Sequence, residues 1–374
     1  MRTKTFATAS LAIASFIALS GAQAGVLVPV TPFPGSTSSS ILGINNGGVV
    51  AGSYSTTGDN SDEHGFFGTP DGNYTSFDYG TAGTEPRAIN NTGAITGIFQ
   101  SVGCSQAVAP GATACEEFVR DKHGNFTTIT NAGTPLVGIV EAMTPNGQFV
   151  GNYFRGLATN PIIAGFYGSN GVYTADITLP FTTRQTKSRG ISSNGKVAGW
   201  FVALDGSTHA FVINSGAVTV FDFPAPSVTA TFAEGINDKG EISGSWADGD
   251  GFLHGFFVTS DLSTFTSIDA PGAPNTQAWQ LNSQSEVAVG SDVGPFIYCA
   301  GNSNAHDYCK AKKGKGANAI TIDKTLRVSS DSLRRYACTA GCVGGGEPTA
   351  VFTSPHASPV PAATAPQRQP RIAP

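Results

Sequence analysis

The sequence predicts an all-β protein, a β-propeller of about six four-stranded blades closed into a ring by an N-terminal strand. Three observations predict it. One turn signature recurs along the chain, short alternating runs follow each copy, and the composition combines 47 Gly in 374 residues with only 13% charged residues. Such a composition suits many short strands joined by tight turns rather than helices.

The chain opens with Arg2 and Lys4, continues through an apolar run at 11–19 and reaches Ala22-Gln23-Ala24. A charged start, a short apolar middle and an A-x-A end make a secretory signal peptide, too short to span a bilayer. Cleavage is expected after Ala24. The mature chain is then expected to be secreted, periplasmic or extracellular, with no membrane span.

The recurring signature is a small residue, an aliphatic one, Asn, Ser or Thr, two further residues, then Gly. It reads GINNGG at 43–48, AINNTG at 88–93, AMTPNG at 142–147, GISSNG at 190–195 and GINDKG at 235–240, with a degenerate QLNSQS at 280–285. The third positions, Asn45, Asn90, Thr144, Ser192, Asn237 and Asn282, are spaced by 45, 54, 48, 45 and 45 residues. A side-chain oxygen there caps a turn by accepting from a backbone N–H two residues on, and the Gly tolerates positive φ. These residues are read as hairpin punctuation, not catalysis.

Each copy continues with an alternating run such as 241–246, then an aromatic region. The aromatic regions are His64-Gly65-Phe66-Phe67, Glu117-Phe118-Val119, Gly165-Phe166-Tyr167, His209-Ala210-Phe211-Val212, His254-Gly255-Phe256-Phe257 and Pro295-Phe296-Ile297. Most units close with a third run such as 74–78 or 265–269. Period-two alternation rich in β-branched and aromatic residues reads as strands. With the strand that ends at the Asn, each unit has four, the content of a propeller blade. Residues 26–35 resemble the last strand of a unit, and the sixth unit lacks one after Cys299. The N-terminal strand is therefore expected to complete the last blade of a repeat domain at 25–299. A linear β-solenoid is the alternative; it would want shorter coils and capping units.

The His-Ala-Phe and His-Gly-Phe triplets, with GIN-x-x-G about 20 residues upstream, resemble the extracellular HAF repeats of bacteria over residues 40–298. The resemblance implies a secreted, β-propeller-like fold and no particular activity. Units 2, 3 and 6 lack the His, so the triplet is not strict here.

Six cysteines in an exported chain favour disulfides. The simplest pairing is Cys104 with Cys115, Cys299 with Cys309 and Cys338 with Cys342, one of about fifteen connectivities. The first pair would staple an insertion at a rim of blade 2, either a binding loop or a tolerated insertion. Residues 300–347 read as a small basic, disulfide-bearing appendage packed on the last blade, with strands at 319–323 and 326–329. Residues 348–374 hold seven prolines and read as an extended, disordered tail.

The body at 25–299 carries nine Lys and Arg against 22 Asp and Glu, whereas 300–374 carries ten against four. An acidic body argues against nucleic-acid binding. The basic region could hold an anionic surface or polymer, or the acidic body itself.

His64, His209 and His254 occupy equivalent places in three units, so each is expected to hydrogen-bond to backbone within its blade. Asp59, Asp62, Asp248 and Asp250 lie in acidic turn segments that could hold calcium, the one cofactor the sequence suggests. Three residues before each Asn, Ser or Thr stand Leu42, Arg87, Glu141, Arg189, Glu234 and Trp279. Alternating charges there predict either inter-blade ion pairs or a polar channel mouth: Arg87 and Arg189 for an anionic group, Glu141 and Glu234 as acid and base, Trp279 as a stacking platform for a sugar. A carboxylate paired with arginine has a depressed pKa and makes a poor proton donor. No G-x-S-x-G elbow, H-E-x-x-H or phosphate-binding glycine loop is present. The sequence thus favours a monomeric secreted propeller that binds a polymer, cell surface or protein. The alternatives are a carbohydrate-active lyase or hydrolase with its site at the channel mouth, and a calcium-dependent adhesive role.

Overall fold

The computed structural model describes residues 25–58, 62–80, 83–99, 104–105, 113–114, 116–131, 134–135, 138–155, 162–301, 305–310, 320–322, 325–328 and 333–337. The expected signal peptide, Asp59, Cys115, Cys338, Cys342 and the proline-rich tail lie outside them.

Six antiparallel four-stranded blades follow one another along the chain. Blade 1 runs Ser38–Ile44, Val50–Ser55, Glu63–Thr69 and Asn73–Phe77. Blade 2 runs Thr84–Ile89, Ile95–Phe99, Glu116–Arg120 and Phe126–Thr127. Blade 3 runs Gly138–Met143, Gln148–Arg155, Ile162–Ser169 and Val172–Asp176. Blade 4 runs Gln185–Ile191, Val197–Val202, Thr208–Asn214 and Ala217–Phe221. Blade 5 runs Ala230–Ile236, Ile242–Ala247, Leu253–Val258 and Thr264–Ile268. Blade 6 takes Thr276–Leu281, Glu286–Ser291 and Phe296–Cys299 from its own stretch of chain, and its fourth strand is Gly25–Pro29, paired Val26 to Cys299 and Pro29 to Phe296. The N-terminal strand therefore closes the ring. In the insertion of blade 2, Cys104–Ser105 pairs with Thr113–Ala114.

Each first strand carries a β-bulge one residue long or slightly wider, and the bulged residue is the one three before the turn Asn, Ser or Thr. The register shifts around Leu42, Arg87, Glu141, Arg189 and Glu234, and across Trp279 and Gln280 in blade 6. A bulge re-aims a side chain and raises local twist. Opposite five of the bulges stands a glycine that no other residue can replace. A Cβ on Gly52, Gly97, Gly151, Gly199 or Gly244 would lie 1.8–2.4 Å from the carbonyl oxygen two residues before the bulge. The third-strand partner of that glycine is the aromatic of the triplet: Phe66, Phe118, Phe166, Phe211 and Phe256, all fully buried. In blade 6 Val289 takes the glycine's place, and its partner Phe296 is not completely covered. Each buried ring contributes about 1.5–3 kcal/mol, so bulge, glycine and phenylalanine form one packing unit repeated around the ring.

The turn side chains cap as expected, and they also do more. Asn45 Oδ1 accepts from the N–H of Gly47 at 2.9 Å and of Val49 at 3.1 Å. Its Nδ2 donates to the carbonyl of Asn90 in the next blade, Asn90 donates to that of Thr144, Asn237 to that of Asn282, and Asn282 to that of Asn45. The last of these bonds joins blade 6 to blade 1. Thr144 and Ser192 cap their own turns but have no amide to pass on.

The C-terminal region departs from expectation. Cys299 and Cys309 form the predicted disulfide. Beyond it, Ile320–Ile322 pairs with the N-terminal strand on blade 6, Thr325–Arg327 with the outer strand of blade 5, and Arg334–Ala337 with the outer strand of blade 4. The appendage is thus a strap adding a fifth strand to three blades in turn, not a unit packed on the last blade alone. Pairing an open sheet edge satisfies backbone groups that otherwise template aggregation.

Candidate binding site at the channel mouth

The bulges direct their residues to the axis, and there the two halves of the ring differ. In blades 3 to 5, Arg189 donates through Nη1 to Glu141 and through Nε to Glu234, all three side chains buried. Asn152 Nδ2 donates to the same Glu141 oxygen at 3.0 Å. Burial works against the Arg189 guanidinium, but the two carboxylates outweigh it and hold its pKa above the ordinary value. Burial, with Glu141 adding to it, lifts the Glu234 carboxyl above the usual range in spite of Arg189. That direction is opposite to the one expected from pairing alone. Burial, then Arg189, lowers the Lys187 ammonium to about 8, and its Nζ lies 4.9 Å from the centroid of the Trp200 ring.

Gln280 was not singled out by the sequence. The equivalent places in the other blades hold Gly or Ala, where backbones of adjacent blades approach to about 3 Å of a would-be Cβ at Gly43, Gly190 and Gly235. Gln280 instead extends its amide to the two preceding blades, donating to the carbonyls of Arg189 at 2.8 Å and Glu234 at 2.9 Å. Beyond it lies a narrow space of about 70 Å³ among the six Asn-type turns.

Blades 6, 1 and 2 leave the other half open. A groove of about 920 Å³ is lined by Ser38, Ser40, Leu42, Glu85, Arg87, Asn275, Gln277, Trp279 and Asp292. Arg87 pairs with Glu85 at 3.0 Å. Behind them Glu63 is buried without lining the groove, one oxygen lacking any partner among the described residues, and burial followed by the Glu85 charge raises it to about 8. The guanidinium of Arg189 lies 5.6 Å from the Trp279 ring centroid, and the indole rests against Gly290, where a Cβ would come within 3.2 Å of its nitrogen. The series is thus split: Glu141, Arg189 and Glu234 meet in one triad, Arg87 stands apart with Glu85, and Trp279 borders both halves.

The remaining candidates lie on the rim. His64, His209 and His254 bond through Nδ1 to Asp78, Asp222 and Asp269 at 2.9, 2.8 and 2.6 Å, so their partners are carboxylates of the same blade, not backbone. Asp62 accepts from Thr56 and Thr57, which hold it down at about 2, and Asp248 caps its own turn by accepting from Asp250 and Phe252. Both carboxylates also face a histidine. Among the described residues no group of three or more His, Cys, Asp or Glu is placed to hold a metal. Nor is any described helix long and apolar enough to cross a membrane.

No protein-family model matches the chain, and no curated protein is similar to it in sequence. Solved structures with similar backbones include a virginiamycin B lyase from Staphylococcus aureus at 11% identity (73% of this chain, 99% of that one, TM-score 0.40). A putative gluconolactonase matches at 12% (81% and 95%, TM-score 0.44) and the Aleuria aurantia lectin at 12% (79% and 98%, TM-score 0.43). At this level the likeness adds nothing to what the strand pairing shows.

Proposed function

We propose that the chain is an exported, non-catalytic binding protein whose ligand occupies the groove between blades 6, 1 and 2. The observation that carries this reading is the Glu141–Arg189–Glu234 triad. Glu141 and Glu234 are both held by one arginine, while the open half of the mouth offers an indole and neutral polar side chains beside a Glu85 paired with Arg87 and an Asp292 engaged by Asn275. Export is supported at the N-terminus. The charged start at Arg2 and Lys4, the short apolar run at 11–19 and the Ala22-Gln23-Ala24 end support it. The His-Ala-Phe and His-Gly-Phe triplets support kinship with extracellular HAF repeats. The test is a thermal-shift screen of the mature protein against saccharides, nucleotides and peptides, run alongside an assay for product release. Stabilisation by a ligand that Trp279→Ala abolishes supports the proposal. Turnover that Glu141→Gln or Glu234→Gln eliminates would overturn it. N-terminal sequencing of secreted protein should begin at Gly25.

A further inference from the structure

Resting on that reading of the groove, we infer that its ligand is a neutral saccharide rather than an anion. The two arginines at the mouth suggested an anionic group when read from sequence alone. The structure matches each with internal counter-charge: Arg87 against Glu85, and Arg189 against Glu141 and Glu234. Asp292 is a further carboxylate on the groove wall, engaged through Oδ2 by the backbone and side-chain amides of Asn275. Among the described residues, therefore, no positive charge on this wall lacks a carboxylate beside it and is left to hold a phosphate, sulfate or carboxylate, and the body at 25–299 carries 22 acidic against nine basic residues.

What the groove does present suits a sugar ring. Trp279 is half-buried and lines the groove, giving a flat apolar surface with a polar edge. Ser38 and Gln277 line the same space, and among the described residues their side chains engage no partner. A hydroxyl both donates and accepts, as do the serine hydroxyl and the carboxamide, so either can meet a ring hydroxyl in whichever sense it offers. The volume of about 920 Å³ lies within the range of small-molecule sites and accommodates more than one sugar unit. Gly290 keeps the indole in place by leaving room beside its nitrogen.

The experiment is calorimetric titration of the full mature protein with neutral hexose oligomers and with uronate oligomers of the same length, at low and high salt. Binding of the neutral oligomers is expected, with affinity changing less than about twofold between roughly 50 and 500 mM NaCl because no charge is recognised. Trp279→Ala should weaken it at least about tenfold. Gln277→Ala should weaken it by a smaller factor without changing the melting temperature. Preference for the uronate oligomers, with affinity falling as salt rises, would overturn this inference and leave the groove as the binding site. So would Trp279-dependent binding of a nucleotide or peptide in place of the sugars. If no ligand shows Trp279-dependent binding, the reading of the groove as a binding site falls as well.

Discussion

Replacing Arg189 with methionine removes the guanidinium that Glu141 and Glu234 both hold and leaves two carboxyls facing each other between blades 3 and 5. Breaking a buried ion pair by removing one partner costs about 3–5 kcal/mol, because the remaining charge is uncompensated. Unfolding entropy is about 2.1 cal/mol/K per residue, so the roughly 275 residues of the repeat domain give about 0.6 kcal/mol/K and a loss of about 5–9 °C in Tm. The deficit has a signature in pH. Glu234 is already held above its usual value by burial, and the variant removes the guanidinium that opposes this, so the folded state retains a proton that the unfolded state has released. Stability is then intact below the unfolded value near 4.3 and falls as pH rises towards the folded value. Thermal unfolding followed by circular dichroism at about pH 4 and pH 7 should show a small deficit at the lower pH and the full one at the higher. A triple variant with Glu141→Gln, Arg189→Met and Glu234→Gln should recover most of the loss, since removing all the charges leaves none unpaired. Equal deficits at the two pH values, or no recovery in the triple variant, would refute the view that uncompensated buried charge is what Arg189 prevents.

Glu63 has a folded pKa of about 8 against an ordinary 4.5, so its burial favours the protonated folded state, and stability declines as pH rises from the lower value through the higher. Glu63→Gln should escape that decline and exceed the wild type by a few kcal/mol near pH 8, read from urea midpoints. Gly52→Ala puts a methyl 1.8 Å from the Ser40 carbonyl and should cost at least about 2 kcal/mol. The control, Gly249→Ala, meets nothing closer than 3.7 Å and should stay within about 0.5 kcal/mol. Reducing the Cys299–Cys309 disulfide should cost about 3 kcal/mol by loop entropy and free the segment whose His306 and Tyr308 satisfy the fully buried Glu286. Calorimetry with and without reductant measures it. Ending the chain after Lys310 removes the fifth strands from blades 4 to 6 and should raise light scattering on heating before the ring itself unfolds, as bare sheet edges meet.

What the sequence revealed was local. Asn45, Asn90 and Asn237 announce their turns because one side chain and a following Gly settle the backbone there, and Asn282 does the same with Ser285 at positive φ in place of the Gly. The ring closure was legible because residues 26–35 look like a fourth strand in search of a blade. The bulges were not inferred, although their mark is present: a Gly near the start of five of the second strands, with a Phe across from it. The carboxylate partners of the histidines were also visible, as Asp78, Asp222 and Asp269 directly follow the fourth strands of those blades that have the His. Three features depend on distance in space. Pairing of Arg189 with Glu141 and Glu234 could be expected from alternating sign, but burial reversed the direction of the Glu234 shift. Gln280 reads as an ordinary degenerate repeat residue until two other blades surround it. Two strands of the strap were expected, at 319–323 and 326–329, but not that each pairs with a different blade, and the short third strand Arg334–Ala337 escaped.

The closing strand has a kinetic consequence. Val26 pairs with Cys299, so the strand Gly25–Pro29 has no place until the last blade exists. Contacts of such sequence separation slow folding, since the entropy of bringing the ends together is lost before their pairing rewards it. The chain is synthesised N-terminus first, so Gly25–Pro29 waits unpaired while some 270 residues arrive behind it. For that interval blade 6 lacks its outer strand, and the same segment of a neighbouring chain would fit the gap equally well. Crowded refolding should therefore yield strand-exchanged dimers, and moving residues 25–29 to follow Cys299 through a short linker should abolish them and speed closure of the ring.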